Sequence, residues 1–371
     1  MRVPPLQAEA ANGHVHVTLW AAPAVTLHDE QFWRADGNSP VRVEHGGVTV
    51  FFSDYEPRGR SFRRRGSLAL RFEKKSIPVR LIDDPDPSVG KWIEAVWRDR
   101  ANGVLRGWYH AEEVAPCALR LHVPHIGELI SEDDGLSWRC RGELLRVPAS
   151  QIDCSWQNGF FAGGYGDLCV VPDRSGRHLY LAFTSCLADE DAQGVAMARM
   201  PAARQGAPAA GLELWCTEGW RPADGRFPKP LWPPARGWRH ADPDCFWGPA
   251  VHYNRSLDAY VMLLNHTASG AGDLVQEGIY VCVNETLENP QGWSPPLQIV
   301  RGGAWYPQVV GLEEGCGDTE AGAVARFFMG GFSAWSIEFG RPGSSQAINR
   351  PFHPMKADFA ELFGAGKRCP W

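Results

Sequence analysis

The chain has 371 residues, and its 37 Lys and Arg against 43 Asp and Glu give a formal net charge of −6 and a pI of about 6.1. This balance excludes a strongly basic nucleic-acid-binding protein. Gly and Pro contribute 40 and 29 residues while 44% of the chain is hydrophobic, which is typical of a folded, turn-rich protein. No apolar run reaches the roughly 18 residues that a transmembrane helix needs, so no such helix is predicted.

Short runs rich in β-branched and aromatic residues, separated by Gly, Asn, Asp or Pro, predict strands along most of the chain. In chain order they cover residues 41–55, 92–99, 103–112, 167–173, 177–185, 248–254, 259–267, 278–285, 308–314 and 324–332. Helical spacing occurs only in KADFAELFGAG at 356–366. The sequence therefore predicts an all-β fold.

The strand pairs recur in one pattern, in which a strand and a turn precede a second, aromatic-rich strand. Residues Asp36, Glu94, Asp167, Trp247 and Tyr306 mark the successive repeats, with steps of 58, 73, 80 and 59 residues. Outer segments at 131–145, 211–225 and 284–300 each place a Trp before a further short strand. We therefore predict a five-bladed β-propeller of four-stranded antiparallel blades. It would form a single domain over 1–371, with a core at about 28–340 and the segment 341–371 packed on it.

One outer turn has a recognisable motif. Ser131, Asp133, Gly135 and Trp138 fit S-x-D-x-G-x-x-W, which resembles the Asp-box turn of sialidases and related propellers. We interpret it as a structural hairpin fastened by the Asp side chain and the packed Trp, because Asp and Gly are good turn formers.

Three consecutive repeats carry an acidic residue near the start of the first strand, namely Asp36, Glu94 and Asp167. The first strands of propeller blades converge on the axis, so these side chains are expected to share one central pocket. Cleavage of a glycosidic bond requires one carboxylic acid to protonate the leaving oxygen and one carboxylate to activate water or attack the sugar. A third carboxylate raises the pKa of the acid by charge repulsion.

With these residues the chain resembles the five-bladed propeller glycosidases, which include arabinosidase/xylosidase, fructosidase and mannoside-phosphorylase relatives. The resemblance covers about residues 28–340. It implies Asp36 as the catalytic base, Glu94 as the pKa modulator or an alternative acid, and Asp167 as the acid. The chain departs from the family at the second and third positions, where Asp and Glu are interchanged.

A set of aromatic and polar residues near these carboxylates is predicted to bind substrate. The set comprises Trp33, Arg34, Trp92, His110, Phe161, Tyr165, His240, Trp247, Trp305 and Tyr306. An aromatic ring can pack on the C–H face of a sugar while polar neighbours bind its hydroxyls, so the predicted partner is a carbohydrate, an oligosaccharide or a glycoside. No cofactor and no metal ligand set is predicted, although the central channel leaves room for a structural cation.

Several alternatives remain open at this stage. The same pocket could bind sugar without cleaving it, or arginines such as Arg34, Arg98 and Arg239 could bind phosphate and make the enzyme a glycoside phosphorylase. The Asp-box match also admits a sialidase-like enzyme with six blades. The sequence has no G-x-S-x-G elbow, P-loop or H-E-x-x-H motif.

The ten cysteines are scattered and have no zinc-ligand spacing. We expect most of them to be buried, reduced thiols, with disulfides as the alternative. This favours a cytoplasmic protein, or a periplasmic or secreted one if an export signal precedes the sequence. Nucleic-acid and membrane partners are not expected, and the oligomeric state is left open.

Overall fold

The computed structural model of the chain describes residues 7–29, 35–54, 59–203, 206–268, 275–341 and 355–356. Within these ranges the chain forms 25 β-strands, three short 3-10 helices and no α-helix. No helix in this part of the chain is long and apolar enough to cross a membrane. The predicted all-β class is confirmed.

The strands form from short segments that mostly end at turns. In chain order they are β1 (Gln7–Ala11), β2 (His16–Thr26), β3 (Val41–Glu44), β4 (Gly47–Ser53), β5 (Ser61–Ser67), β6 (Ile77–Pro78), β7 (Arg80–Ile82), β8 (Gly90–Arg98), β9 (Leu105–Val114), β10 (His122–Ser131), β11 (Ser137–Leu145), β12 (Gly164–Pro172), β13 (His178–Cys186), β14 (Gly194–Pro201), β15 (Glu213–Cys216), β16 (Gly219–Pro222), β17 (Cys245–Asn254), β18 (Ala259–Thr267), β19 (Gln276–Asn284), β20 (Leu297–Arg301), β21 (Pro307–Val310), β22 (Glu320–Ala321), β23 (Val324–Met329), β24 (Phe332–Gly340) and β25 (Met355–Lys356). The 3-10 helices are Ala149–Gln151, Glu190–Ala192 and Pro290–Gly292.

Five sheets form the blades of a propeller. Blade 1 has the order β3-β4-β5-β6, blade 2 β8-β9-β10-β11-β7, blade 3 β12-β13-β14-β15-β16, blade 4 β22-β17-β18-β19-β20-β25, and blade 5 β21-β23-β24-β2-β1. Hairpins connect successive main strands, which explains their antiparallel pairing. The predicted five-bladed propeller is confirmed, and the six-bladed alternative is wrong for the described residues.

The predicted strands coincide with β3–β4, β8, β9, β12, β13, β17, β18, β19, β21 and β23, with ends that differ by a few residues. The outer segments that carry a Trp form β11, β15–β16 and β20. The predicted helix at 356–366 begins at Lys356, which is in strand β25, and its remaining residues lie outside the described ones.

The fifth blade combines strands from both parts of the chain, which the repeat pattern did not reveal. β2 pairs antiparallel with β24, so that Leu19 lies opposite Ile337. Both side chains are fully buried in one apolar cluster with Val17 and Phe339. The N-terminal strands therefore complete the last blade and close the ring.

The first strands of the blades are buried along most of their length. In β8 the seven residues from Gly90 to Val96 are all buried, and in β12 so are the eight from Gly164 to Val171. Neighbouring blades cover both faces of these strands, because β12 packs against β8 on one side and β17 on the other. A polar side chain on such a strand must find a hydrogen-bond partner.

The turn at 131–138 closes the β10–β11 hairpin. The Asp133 carboxylate accepts hydrogen bonds from the Ser137 backbone N–H (2.9 Å) and from the Ser131 hydroxyl (2.8 Å). The Trp138 ring is fully buried, and its indole N–H donates to the Gly135 carbonyl oxygen (3.2 Å). In this structure the segment has the geometry of the structural hairpin we expected.

Blades 1 and 2 are joined by a network of arginines on two carboxylates. Arg42 and Arg98 each contact both Glu44 and Asp134. Arg63 and Arg65 also bind Asp134, at 2.6 and 2.7 Å. Two of the guanidinium groups, those of Arg42 and Arg63, are buried, so the network forms part of the interface between the blades.

The cysteines differ in part from the expectation of reduced thiols. Cys117 and Cys154 form a disulfide between the β9–β10 loop and the segment before β12. Seven others are free; Cys140 is half-buried and the rest are buried. One pair therefore follows the disulfide alternative, because the fold places these two residues, 37 positions apart in sequence, side by side. Cys369 lies outside the described residues.

The buried His252 of β17 should make the fold sensitive to acid. Its ring packs on Phe339, and its Nε2 atom has no hydrogen-bond partner among the described residues. Burial lowers the pKa of His252 to about 3 from its usual 6.5. The histidine of the unfolded chain therefore takes up a proton as the pH falls through 6.5, while that of the folded chain does not. The free energy of unfolding consequently decreases as the pH falls below 6.5.

We expect His252→Leu to remove about 2 kcal/mol of the decline in the free energy of unfolding between pH 7 and pH 5. Urea unfolding at the two pH values measures it. The exposed His14→Leu serves as the control and should keep the full decline. An equal decline in His252→Leu and the wild-type protein would contradict the prediction.

Candidate active site

Two of the three predicted carboxylates lie at irregular points of inner strands, and the third precedes an inner strand. Glu94 is the extra residue at a register shift between β8 and β9, and Asp167 is the extra residue at a shift between β12 and β13. Such bulges turn a side chain out of the regular alternation. Asp36 precedes β3, and its backbone N–H donates to the Ser53 carbonyl oxygen (2.9 Å). All three residues are buried, with exposures of 8% for Asp36, 1% for Glu94 and 6% for Asp167.

Glu94 is held by groups from three blades. Its Oε1 atom accepts a hydrogen bond from His110 Nδ1 (2.9 Å), and its Oε2 atom accepts one from the backbone N–H of Leu168 (2.6 Å). Gly37 approaches from the segment before blade 1. A Cβ atom at Gly37 would lie 2.7 Å from Oε1, and its φ of +105° also favours glycine. The carboxylate of Glu94 is therefore fixed on both oxygens.

Asp167 is surrounded by Tyr306, His110 and Glu94. The Tyr306 hydroxyl donates to Oδ1 of Asp167 (3.3 Å), and Nδ1 of His110 lies 4.0 Å from the same oxygen. Burial, followed by the charge of Glu94, raises the pKa of Asp167 to about 8. Asp167 therefore holds its proton at neutral pH. Its backbone φ of +40° is uncommon for a residue other than glycine.

Asp36 joins this cluster through Trp92. The indole N–H of Trp92 donates to Oδ2 of Asp36 and to the carbonyl oxygen of Asp54, both at 3.1 Å. The indole also stacks on the His110 ring, with centroids 5.1 Å apart and planes at 19°. The Trp92 side chain thus lies between Asp36 and the histidine that contacts the other two carboxylates.

Asn38 fixes the inner strands around the site. Its amide N–H groups donate to the carbonyl oxygens of Leu168 in blade 3 and Pro249 in blade 4, both at 2.9 Å. Next to it, the backbone N–H of Ser39 donates to the Gln308 side chain of blade 5 (2.9 Å). These bonds tie the segment that carries Asp36 to three other blades.

Glu112 and His122 extend the cluster outward, and the sequence analysis missed both. Nε2 of His110 lies 3.2 Å from Glu112 Oε1, and Nδ1 of His122 lies 3.6 Å from Glu112 Oε2. Burial alone would lower the pKa of His110, but its bonds to Glu112 and Glu94 outweigh this and raise that pKa well above 6.5. The two-residue spacing of His110 and Glu112 on one strand is the signal that could have identified Glu112.

The structure brings Asp36, Glu94, Asp167, Trp92, His110 and Tyr306 into one connected group. The other predicted substrate-binding residues are placed differently. Trp247 and Trp305 pack around Tyr306, with the Trp247 ring 5.8 Å from that of Tyr306. Tyr165 is buried against Phe183 in the apolar core.

Phe161 and His240 lie in the segments that flank blade 3. Phe161 is half-buried against Trp238, and His240 is exposed and faces Glu190 (3.3 Å). Trp33 and Arg34 lie outside the described residues. The roles predicted for all of these residues in substrate binding stay predictions.

In the part of the chain that the structure describes, two groups of side chains have the spacing of cation ligands. Glu94, His110 and Asp167 each offer one atom within 4.8 Å of the others. Both ring nitrogens of His110 face carboxylates, however, so this ring is arranged as a protonated donor and not as a ligand. The arrangement of these three residues therefore does not favour a bound cation. A structural cation in the channel stays a prediction.

The second group, Glu113, His125 and Glu143, lies beside a cavity of about 250 Å³ on blade 2. One guanidinium nitrogen of Arg146 lies 2.7 Å from Glu113, 2.6 Å from Glu143 and 3.2 Å from His125. The arginine thus takes the place that a cation would need, and this group is an ion-pair cluster.

The fold and the site define a five-bladed propeller with buried carboxylates and a histidine on its inner strands. No protein-family model matches the sequence, and no curated protein matches it significantly. The structure is similar to solved five-bladed propeller glycoside hydrolases at low sequence identity. At these identities the similarity concerns the fold.

Three of these structures show the range of the similarity. An arabinanase from Bacillus subtilis is 16% identical, with 83% of this chain and 96% of that one covered and a TM-score of 0.45. The catalytic domain of a GH62 α-L-arabinofuranosidase from Coprinopsis cinerea is 10% identical, with 91% and 97% covered and a TM-score of 0.49. An exo-β-1,3-galactanase from Phanerochaete chrysosporium is 11% identical, with 86% of this chain and 63% of that one covered and a TM-score of 0.48.

Proposed function

We propose that the chain is a glycoside hydrolase in which Asp167 is the general acid, Asp36 the base or nucleophile, and Glu94 the residue that keeps Asp167 protonated. The observation that carries the proposal is the buried carboxyl group of Asp167, which is 6% exposed, accepts a hydrogen bond from Tyr306 (3.3 Å) and has an oxygen within 4.8 Å of the Glu94 carboxylate. Burial and the charge of Glu94 raise the pKa of Asp167 to about 8. Acid–base pairs of this kind require two carboxyl groups whose environments separate their pKa values.

The reaction uses the two ends of the cluster differently. Asp167 donates its proton to the glycosidic oxygen as the bond between that oxygen and the anomeric carbon breaks. Asp36 either takes a proton from the water that attacks the anomeric carbon, or attacks that carbon itself to form a glycosyl ester. In the second route water cleaves the ester, and the Asp167 carboxylate, which has given up its proton, takes the proton of that water. The indole N–H of Trp92 donates to Oδ2 of Asp36 and so orients this carboxylate.

Glu94 supports the acid without needing to reach the sugar. It is 1% exposed, and both of its oxygens accept hydrogen bonds. Its negative charge follows burial as the second contribution that raises the pKa of Asp167. This matches the modulating role that the family resemblance implied for the second position.

The rings that are still partly exposed supply candidate contacts for a sugar. Phe161 and Trp305 are both half-buried. An apolar ring face suits the C–H face of a pyranose or furanose, and the carboxylates suit its hydroxyls. A carbohydrate is therefore the substrate class that we propose.

A propeller that binds carbohydrate without cleaving it is the second candidate. The low exposure of Asp36 and Asp167, 8% and 6%, favours it, because a reacting carboxyl group must reach the glycosidic bond. The phosphorylase alternative is weaker, since the Arg98 guanidinium is already bound to Glu44 and Asp134.

A substrate panel separates the two candidates. We expect turnover of at least one 4-nitrophenyl glycoside in a panel that includes α-L-arabinofuranoside, β-D-xyloside and β-D-galactoside, and none by the Asp36→Asn/Asp167→Asn double variant. Proton NMR of the released sugar then gives the anomeric outcome. Calorimetric binding of oligosaccharides without turnover would instead support the binding propeller. The absence of both binding and turnover would overturn the proposal.

A further inference from the structure

Glu112 is a fourth carboxylate of the site. It lies on β9 two residues after His110, so both side chains project from the same face of the strand. Oε1 of Glu112 lies 3.2 Å from Nε2 of His110, and its side chain is 22% exposed, against 6% for His110. The next residue, Glu113, points to the other face and pairs with Arg146.

We propose that Glu112 is a positioning residue that keeps His110 as an imidazolium between Glu94 and Asp167. The imidazole has carboxylates at both nitrogens, at 2.9 Å on Nδ1 and 3.2 Å on Nε2. A neutral imidazole has only one N–H, so it can donate to only one of them. The second carboxylate therefore requires the second proton.

Among the described residues, three carboxyl groups face the His110 ring. Glu94 faces the ring from β8, Glu112 from β9 and Asp167 from β12. Trp92 covers one face of the ring. Beyond these, His122 contacts Glu112, Tyr306 contacts Asp167 and Asp36 contacts Trp92. The imidazolium thus provides the positive charge at the centre of three carboxyl groups and offsets the negative charges of Glu94 and Glu112.

Glu112→Gln tests this because an amide keeps the shape and the hydrogen bond but removes the charge. The amide N–H can donate to Nε2 of a neutral His110 whose Nδ1–H still donates to Glu94. We expect ¹⁵N NMR of histidine-labelled protein to show that His110 loses its second proton at a pH lower by about one unit or more in the variant. The control Glu113→Gln, an identical change on the next residue, should leave His110 as in the wild-type protein.

The catalytic consequence rests on the proposed function. His110 Nδ1 is 4.0 Å from Asp167, whereas Glu112 contacts the other ring nitrogen, Nε2. Loss of the His110 positive charge therefore affects the pKa of Asp167 more than loss of the Glu112 negative charge does. The alkaline limb of the pH dependence of kcat/KM should therefore move to higher pH in Glu112→Gln and stay in place in Glu113→Gln.

The NMR titration of His110 and the activity measurement test the two proposals independently. An unchanged His110 titration in Glu112→Gln overturns the inference whatever the activity. A shifted titration in a protein that cleaves no glycoside leaves the role of Glu112 standing and overturns the proposed function. Should Glu112→Gln not fold, Glu112→Asp gives the same NMR test, because the shorter side chain moves the carboxylate away from Nε2 and should also lower the His110 titration.

Discussion

Asp167→Asn should slow the cleavage of glycosides with poor leaving groups by about 10³-fold, because general acid catalysis typically contributes 10²- to 10⁴-fold. The amide cannot donate the proton that the Asp167 carboxyl group holds at neutral pH. A 2,4-dinitrophenyl glycoside needs little protonation as its bond breaks. We therefore expect the loss on that substrate to be no more than about tenfold. Initial rates for a series of aryl glycosides with leaving groups of different pKa measure the effect.

The same substitution should stabilise the fold at neutral pH. The folded-state pKa of Asp167 is raised to about 8 from 3.8, so the folded chain holds a proton that the unfolded chain has released. The stability that this carboxyl group provides is complete below pH 3.8 and is lost as the pH rises through 8. Asparagine has no such loss, tolerates the positive φ and can accept the Tyr306 hydrogen bond.

We expect Asp167→Asn to raise the free energy of unfolding by about 5 kcal/mol at pH 7.5 and by less than about 1 kcal/mol at pH 4.

Asp36→Asn is the matched control for the prediction on activity. It should lose activity equally on good and poor leaving groups, because its carboxylate acts on water or on the sugar. If Asp167→Asn also loses activity equally on all leaving groups, Asp167 is not the acid.

Leu19→Ala should destabilise the whole propeller by about 3 kcal/mol, within the range of 2–5 kcal/mol for buried Leu-to-Ala changes. Leu19 is 1% exposed on β2, where it packs with Ile337 and Phe339 of β24. This strand closes the ring, so a cavity there weakens the pairing of β2 with β24 that joins the N-terminal strands to the last blade. Equilibrium unfolding in urea measures the change.

Leu119→Ala provides the control for this prediction. Leu119 is 56% exposed in the β9–β10 loop, so the same change should cost less than about 0.5 kcal/mol. A small effect at Leu19, similar to that at Leu119, would mean that the β2–β24 contact contributes little to the closure of the propeller.

Much of the fold was already determined by local sequence. Short β-branched and aromatic runs between turns predicted strands such as β13 and β18, because side-chain periodicity and turn chemistry act over a few residues. The repeat of these pairs also predicted five blades. It did not reveal β2 as part of blade 5, because pairing between the two ends of a chain leaves no local signal.

Local sequence also predicted the packed ring of the outer hairpin. Trp138 is fully buried, as expected. The disulfide and the arginine network between blades 1 and 2 had no such signal. Each joins residues that are far apart in sequence, so only the packing of the blades brings them together.

By itself, the sequence determined the propeller and three acidic residues at equivalent points of successive repeats, since repetition places equivalent residues around one axis. The tertiary structure decided how these residues differ. Burial beside Glu94 raises the pKa of Asp167 to about 8, an indole orients Asp36, and Glu112 places a second carboxylate on His110. These differences arise from contacts between blades, because the pKa of a buried group depends on the charges and donors around it in space and not on its neighbours along the chain.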